Sequence, residues 1–269
     1  MKHNDLPQES EAGHPASPLT AFLAAAQFLL LSPAFIRRAF SDRELGASVG
    51  YYPVVGLLLG GLLAAADGLL GYLFPLPLRS ALTLALWVIL TGALHLDGFL
   101  DACDGLLGGF TSERRLEIMR DERVGAYALA GGVLLLMMQA AALSAVQNQR
   151  AFALFIAPIL GRWGMALALT TFPYARASGL GKTIKENAGG FQGVLATFFA
   201  ITSLLAIAWL SRSWAPLAAT LAASLTWWAA IRFTLKRLPG LTGDIYGALN
   251  VLIETTTLLV FAAVQHLYG

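Results

Sequence analysis

Seven apolar runs of roughly transmembrane length divide this 269-residue chain, and no other feature limits its fold as tightly. They cover residues 47–74, 80–96, 126–146, 151–172, 190–210, 214–231 and 247–267. Only 13% of the residues are charged, about half the share of a soluble domain, and 57% are hydrophobic. The fold class expected is therefore an all-α polytopic integral membrane protein with about seven transmembrane helices. The two-residue alternation that a membrane barrel needs is absent. A further stretch, 19–36, is interrupted by Pro33 and reads as a half-helix or interfacial helix. Residues 1–18 are polar, carry Pro7, Pro15 and Pro18, and read as a disordered tail without the pattern of a signal peptide. Residues 19–269 are then expected to form a single membrane-embedded domain.

The loops between these runs alternate in Lys and Arg. Arg37, Arg38 and Arg43 are followed by Arg79 alone. Arg114, Arg115, Arg120 and Arg123 are followed by Arg150 alone. Arg176, Lys182 and Lys185 precede Arg212 alone, and then come Arg232, Lys236 and Arg237. The positive-inside rule makes the rich loops cytoplasmic, in the inner membrane. A net charge of +2 gives no reason to expect nucleic acid as a partner; the partner the composition implies is the lipid bilayer. The single cysteine, Cys103, excludes an intrachain disulfide. Oligomeric state is left open, a homo-oligomer included.

The second run ends in His95-Leu-Asp-Gly-Phe-Leu-Asp-Ala-Cys-Asp-Gly105. At helical spacing Asp97, Asp101 and Asp104 share one face. Three like charges there repel one another, and a divalent cation relieves the repulsion. Hard cations such as Mg²⁺ take carboxylate oxygens, water and substrate phosphate. Solvated acids at a helix end are the plainer account. His95, two residues before Asp97, points to the opposite face of an unbroken helix and either binds a ligand or packs locally.

The loop Thr111-Ser-Glu-Arg-Arg-Leu-Glu-Ile-Met-Arg-Asp-Glu-Arg-Val-Gly125 fits an interfacial helix or a phosphate-binding surface, with Arg115 and Arg120 as contacts and Asp121 as a fourth metal acid. Arg162 lies mid-span and needs a polar cavity or a partner charge. Asp67, near the outer end of its run, reads as an interfacial acid that snorkels. Tyr174-Ala-Arg-Ala-Ser-Gly-Leu-Gly-Lys-Thr-Ile-Lys185 joins Arg176 and Lys182 to two glycines but does not match a Walker A motif. It cradles phosphate or is an ordinary basic loop. Asp244 stands at a helix start, where capping suffices to explain it. Asn250 and Glu254 share a face within the last span.

These residues together resemble the cobalamin synthase (adenosylcobinamide-GDP ribazoletransferase) family. His-Leu-Asp-Gly-x-x-Asp-x-x-Asp-Gly resembles its signature. Arg115-Leu-Glu-Ile-Met-Arg-Asp121 with Arg123-Val-Gly125 is similar to its next block, and Tyr174-Ala-Arg176 with Gly179-Leu-Gly181 to a third. Thr242-Gly-Asp244, Gly247-Ala248, Asn250 and Glu254 are similar to its terminal block. Leu29–Pro33 and Tyr52-Pro-Val-Val-Gly-Leu-Leu-Leu-Gly60 fit as well. Phe99, Leu100, Ala128 and Val251 depart from the usual residues.

The resemblance implies a Mg²⁺-dependent enzyme joining adenosylcobinamide-GDP to α-ribazole or its 5′-phosphate, with release of GMP. It makes Asp97, Asp101 and Asp104 catalytic and metal-binding, with Asp121 a further ligand. His95, Arg115, Arg120, Arg162, Arg176, Lys182, Asp244, Asn250 and Glu254 would bind substrate. Two other readings compete. A CDP-alcohol phosphotransferase also places spaced aspartates at a membrane surface, but Asp97-Gly98 is not followed by its Ala-Arg. A transporter would use Arg162 and Glu254, but no internal repeat is present.

Overall fold

The computed structural model describes residues 16–32 and 36–268. The expected tail lies almost wholly outside the described residues, as does Pro33. Twelve α-helices are found among the described residues. They are α1 Pro18–Leu29, α2 Asp42–Ser48, α3 Tyr52–Leu70, α4 Leu76–Leu90, α5 Leu94–Gly108 and α6 Ser112–Ile118. After these come α7 Ala126–Ala145, α8 Arg150–Thr171, α9 Leu180–Asn187, α10 Gly190–Ser211, α11 Ala215–Leu235 and α12 Gly243–Tyr268.

Five helical stretches are long and apolar enough to cross a membrane: Asp42–Leu70, α7, α8, α10 and α12. The pair α4 and α5 makes a sixth if counted as one broken span. The expected count of seven is thus not reached on length and apolarity. α11 has 21 residues, but its Thr, Ser, Trp and Arg232 dilute it. α1 has 12 residues, about 18 Å of helix, which is too short to cross and agrees with a half-helix.

The run 80–96 is not one straight span. α4 stops at Leu90, and Gly92 (φ 57°) and Ala93 (φ 56°) both take left-handed backbone. The chain turns by 89° before α5 begins. Glycine accepts that conformation freely, whereas alanine pays about 1–2 kcal/mol for it.

α8 and α12 form the centre. Their apolar windows are 78% and 67% buried, against 22–39% for the other three spanning stretches. α3 crosses α8 closely through Gly56 and Gly60. A Cβ on Gly56 would stand 2.5 Å from the Pro158 carbonyl oxygen, and one on Gly60 would stand 2.7 Å from the Phe155 Cα. Gly56-x-x-x-Gly60 is the small-residue spacing that lets membrane helices touch backbone to backbone. The peripheral helices turn Leu129, Leu134, Val194, Phe198, Leu217 and Leu221 outward, a surface suited to lipid.

The loop charges are sorted by end. Arg79 and Arg150, the lone cations of two poor loops, meet at Asp67. Asp67 accepts from Arg150 Nη2 (2.6 Å), Arg150 Nε, Arg79 Nε (3.0 Å) and Thr83 Oγ1 (2.7 Å). Asp67 is 2% exposed, so it is not the snorkelling interfacial acid expected. Two arginines reach it from neighbouring loops, which removes the need to seek water. At the opposite end the rich loops gather. Arg176 reaches the Met119 carbonyl, Arg115 reaches the Arg237 carbonyl, and α2 packs on α9.

Candidate active site

The site is built where α5 and the start of α12 cross. Gly98 permits the approach: a Cβ there would stand 3.0 Å from the Asp244 carbonyl oxygen and 3.1 Å from its Cα. Asp244 is fixed by a short backbone bridge. The Leu241 amide donates to the Pro173 carbonyl (2.9 Å), and the Ala175 amide donates to the Leu241 carbonyl (2.8 Å). This ties Tyr174-Ala-Arg176 to Thr242-Gly-Asp244, two blocks some 70 residues apart in sequence. Arg176 Nη2 donates to Asp244 Oδ2 (2.5 Å), which also accepts from Thr242 Oγ1 (3.2 Å). Thr242 Oγ1 accepts from the Ile245 amide and caps α12.

A cavity of about 450 Å³ opens beside this crossing. That is within the size range of small-molecule sites. Asp97 and Asp244 give it an acidic side, Arg120 and Arg176 a cationic one. Gly179, Leu180 and Gly181, where α9 begins, complete a wall. The first amides of a helix have no intrahelical acceptor and suit phosphate. Tyr52, Tyr174 and Tyr246 line it as well. Burial raises the pKa of the Tyr174 phenol, and the Arg176 guanidinium opposes that shift. The Tyr246 hydroxyl and His95 Nε2 are buried at the cavity without a hydrogen-bond partner among the described residues.

Asp101, one turn beyond Asp97, is half-buried. It feels the carboxylates of Asp244, Asp97 and Asp104 and the guanidinium of Arg176. Asp104 is already engaged: its Oδ2 accepts from the Gly125 amide (2.6 Å) and its Oδ1 from the Ala128 amide (2.9 Å). It therefore caps α7 from outside, where the helix's own N-cap, Gly125, has no side chain to do so.

The remaining expected residues are dispersed. Asp121 is held by Arg123 (2.6 Å) outside the cavity wall, and that hydrogen bond draws its pKa down to about 2. Arg115 lies behind the wall, its Nη1 3.4 Å from the Arg237 carbonyl. Lys182 donates to the Ala177 carbonyl (2.8 Å) and pairs with Glu186 (3.5 Å). Arg162, Asn250 and Glu254 sit in the core. Arg162, 0% exposed, donates to Glu254 Oε1 (2.6 Å) and to Asn250 Oδ1 (3.4 Å). His95, despite its −2 offset from Asp97, lines the cavity too, because the site wraps around the first turn of α5. Tyr174 and Tyr246, whose rings stand 6.3 Å apart, were not among the expected site residues. Tyr174 belongs to the block that resembles the family, a signal that could have marked it, whereas nothing in the sequence separates Tyr246 from the chain's other tyrosines.

The donor set fits a hard divalent cation. Asp97, Asp101 and Asp244 supply oxygen alone, and their mutual repulsion is what such an ion relieves. Among the described residues no three His, Cys, Asp or Glu side chains already stand together as a metal-ligand group. An ion held by one or two carboxylates, with water and substrate phosphate completing its shell, needs no such group.

Comparison with known proteins shows the family to which the chain belongs. The family model for cobalamin-5-phosphate synthase (CobS) matches residues 21–262. An adenosylcobinamide-GDP ribazoletransferase of Pseudomonas fluorescens is 40% identical over 88% of this chain and 97% of that protein. Proteins of the same name from Stutzerimonas stutzeri and Desulforamulus reducens are 41% and 38% identical, over 89% and 90% of this chain and 96% of each relative. No solved structure matches. The resemblance carried by the four sequence blocks thus extends over nearly the whole length, and the chain belongs to the cobalamin-5-phosphate synthase family.

Proposed function

We propose that this chain joins α-ribazole, or its 5′-phosphate, to adenosylcobinamide-GDP and releases GMP. The family membership carries the reading, and the cavity's pairing of acidic and cationic sides supports it. A ribazole hydroxyl attacks the phosphorus attached to cobinamide. The P–O bond to GMP breaks, GMP leaves with the electron pair, and the hydroxyl proton passes to a carboxylate. Arg176 and Arg120 bind the diphosphate oxygens, with the first amides of α9 opposite them. A cavity of about 450 Å³ takes a drug-sized group, so the diphosphate and one nucleoside lie inside while the corrin ring lies across the mouth.

Mg²⁺, when bound, would offset charge on the diphosphate. Asp97 and Asp101 are the residues that would hold it, with Asp244 beside them. Asp104 orients α5 through its two amide contacts. Asp101, half-buried among other carboxylates, serves in this reading as the proton acceptor. His95 Nε2 and the Tyr246 hydroxyl hydrogen-bond the bound substrate. The end carrying the site faces the cytoplasm of the inner membrane, in keeping with its gathered cations.

The test is GMP release from labelled adenosylcobinamide-GDP by protein purified into lipid. Release that needs α-ribazole, stops with a chelator and returns with Mg²⁺ is expected. Asp97→Asn and Asp101→Asn should lower it at least about 100-fold, the scale of a general acid–base contribution. Transfer from a CDP-alcohol instead would overturn the reading.

A further inference from the structure

A second concavity, of about 510 Å³, lies between α5 and α11, both of which pack on α12. Phe99 and Leu106 form one wall, Ala230 and Phe233 the other, with Ala248 and Leu252 between them. Among the described residues no charged side chain lines it, in contrast to the cavity with Asp97 and Arg176. Its chemistry is hydrocarbon, not nucleotide.

The groove does not end in hydrocarbon. α11 ends just past it, and Lys236 and Arg237 follow in the turn beyond Leu235. Positions 233, 236 and 237 follow one another along the same stripe at helical spacing. Arg237 stacks its guanidinium 3.5 Å above the Phe233 ring, which itself lines the groove. Arg232 lies off that stripe, 5.9 Å from the ring of Trp228, which does not line the groove. Neither Lys236 nor Arg237 has a carboxylate partner among the described residues. An apolar trough with two such cations at one end is complementary to a molecule with an acyl chain and an anionic head. Basic pockets between membrane helices bind such lipids.

We propose that this groove is a binding site for one anionic phospholipid. An acyl chain lies between α5 and α11, and the phosphate rests against Lys236 and Arg237. The site is separate from the substrate cavity, from which α5 and α12 divide it.

The test is native mass spectrometry of the full chain in micelles holding equal phosphatidylglycerol and phosphatidylcholine. One retained phosphatidylglycerol per protein is expected, at about tenfold or greater preference. Lys236→Ala/Arg237→Ala should abolish the preference. Lys236 is exposed and Arg237 half-exposed just past the end of α11, so the fold survives their loss. Ala230→Phe, which fills the trough, should reduce retention of both lipids. Arg212→Ala, at the far end of the bundle, should leave retention as in the native chain. Equal retention of the two lipids, an unaltered preference in the double variant, or a protein dimer dispersed by Ala230→Phe would each overturn the proposal.

Discussion

Asp104 separates two accounts of the acidic run. If it is a metal ligand, as its spacing predicts, its loss changes the response to Mg²⁺. If it anchors α7, as its contacts indicate, its loss changes stability. Asp104→Ala removes two hydrogen bonds from backbone amides to a carboxylate, at 2.6 and 2.9 Å. Hydrogen bonds to charged groups contribute about 1.5–3 kcal/mol each, and loss of a helix cap costs about 0.5–2 kcal/mol. Asp104 is only half-buried, which favours the lower end, so about 2–4 kcal/mol is expected. Asp104→Asn retains one acceptor and should cost about half as much. Gly125→Ala reaches the same contact from the other side. Its φ of −89° suits alanine, but the new Cβ would stand 2.6 Å from Asp104 Oδ1. Asp104→Ala and Gly125→Ala should therefore be strongly non-additive, the double variant being little worse than either alone. Unfolding by SDS in mixed micelles gives the energies, and GMP release against Mg²⁺ gives the half-saturating concentration. The reasoning fails if Asp104→Asn leaves stability intact and raises that concentration tenfold, or if the two substitutions simply add.

Three further outcomes are expected. Asp67→Ala strands the buried Arg150 and the partly buried Arg79, and should cost about 3–5 kcal/mol in the same unfolding assay while the folded fraction keeps its specific activity. Arg162→Met leaves Glu254 buried without its cation and should cost a similar amount; adding Glu254→Leu should recover much of it, since an apolar pair can replace a buried ion pair, and a double variant no more stable than the single would count against a structural role. Gly98→Val presses α5 off the backbone of Asp244 and should lower kcat/KM about 100-fold with the helical circular dichroism signal unchanged; native activity would show that the crossing does not set the site geometry.

Much of the fold was legible because the membrane imposes one-dimensional rules. Spans need length and apolarity, and loop cations mark sides, so the helices, the half-helix α1 and the two-ended sorting of arginines follow from residue order. The break at Gly92–Ala93 was not legible. Two left-handed residues inside an apolar run are decided by what α5 must pack against, and hydropathy does not register backbone direction. Asp67 was misjudged for the same reason: its two arginines are distant in sequence, so it looked unpaired.

The sequence by itself determined which residues are chemically able to act: the aspartates of α5, the arginines after it, and the Gly-rich and Thr-Gly-Asp blocks. Their family resemblance came from the same linear order. Only the tertiary structure decided which of them meet. Asp97 and Asp101 share a helical face with Asp104, yet Asp104 turns to the amides of α7 while Asp244 arrives from α12 beside the other two. Helical spacing fixes directions along one helix. The partner across a gap depends on where a second helix can approach, and here Gly98 and Gly125 are two of the positions where a missing Cβ leaves that room.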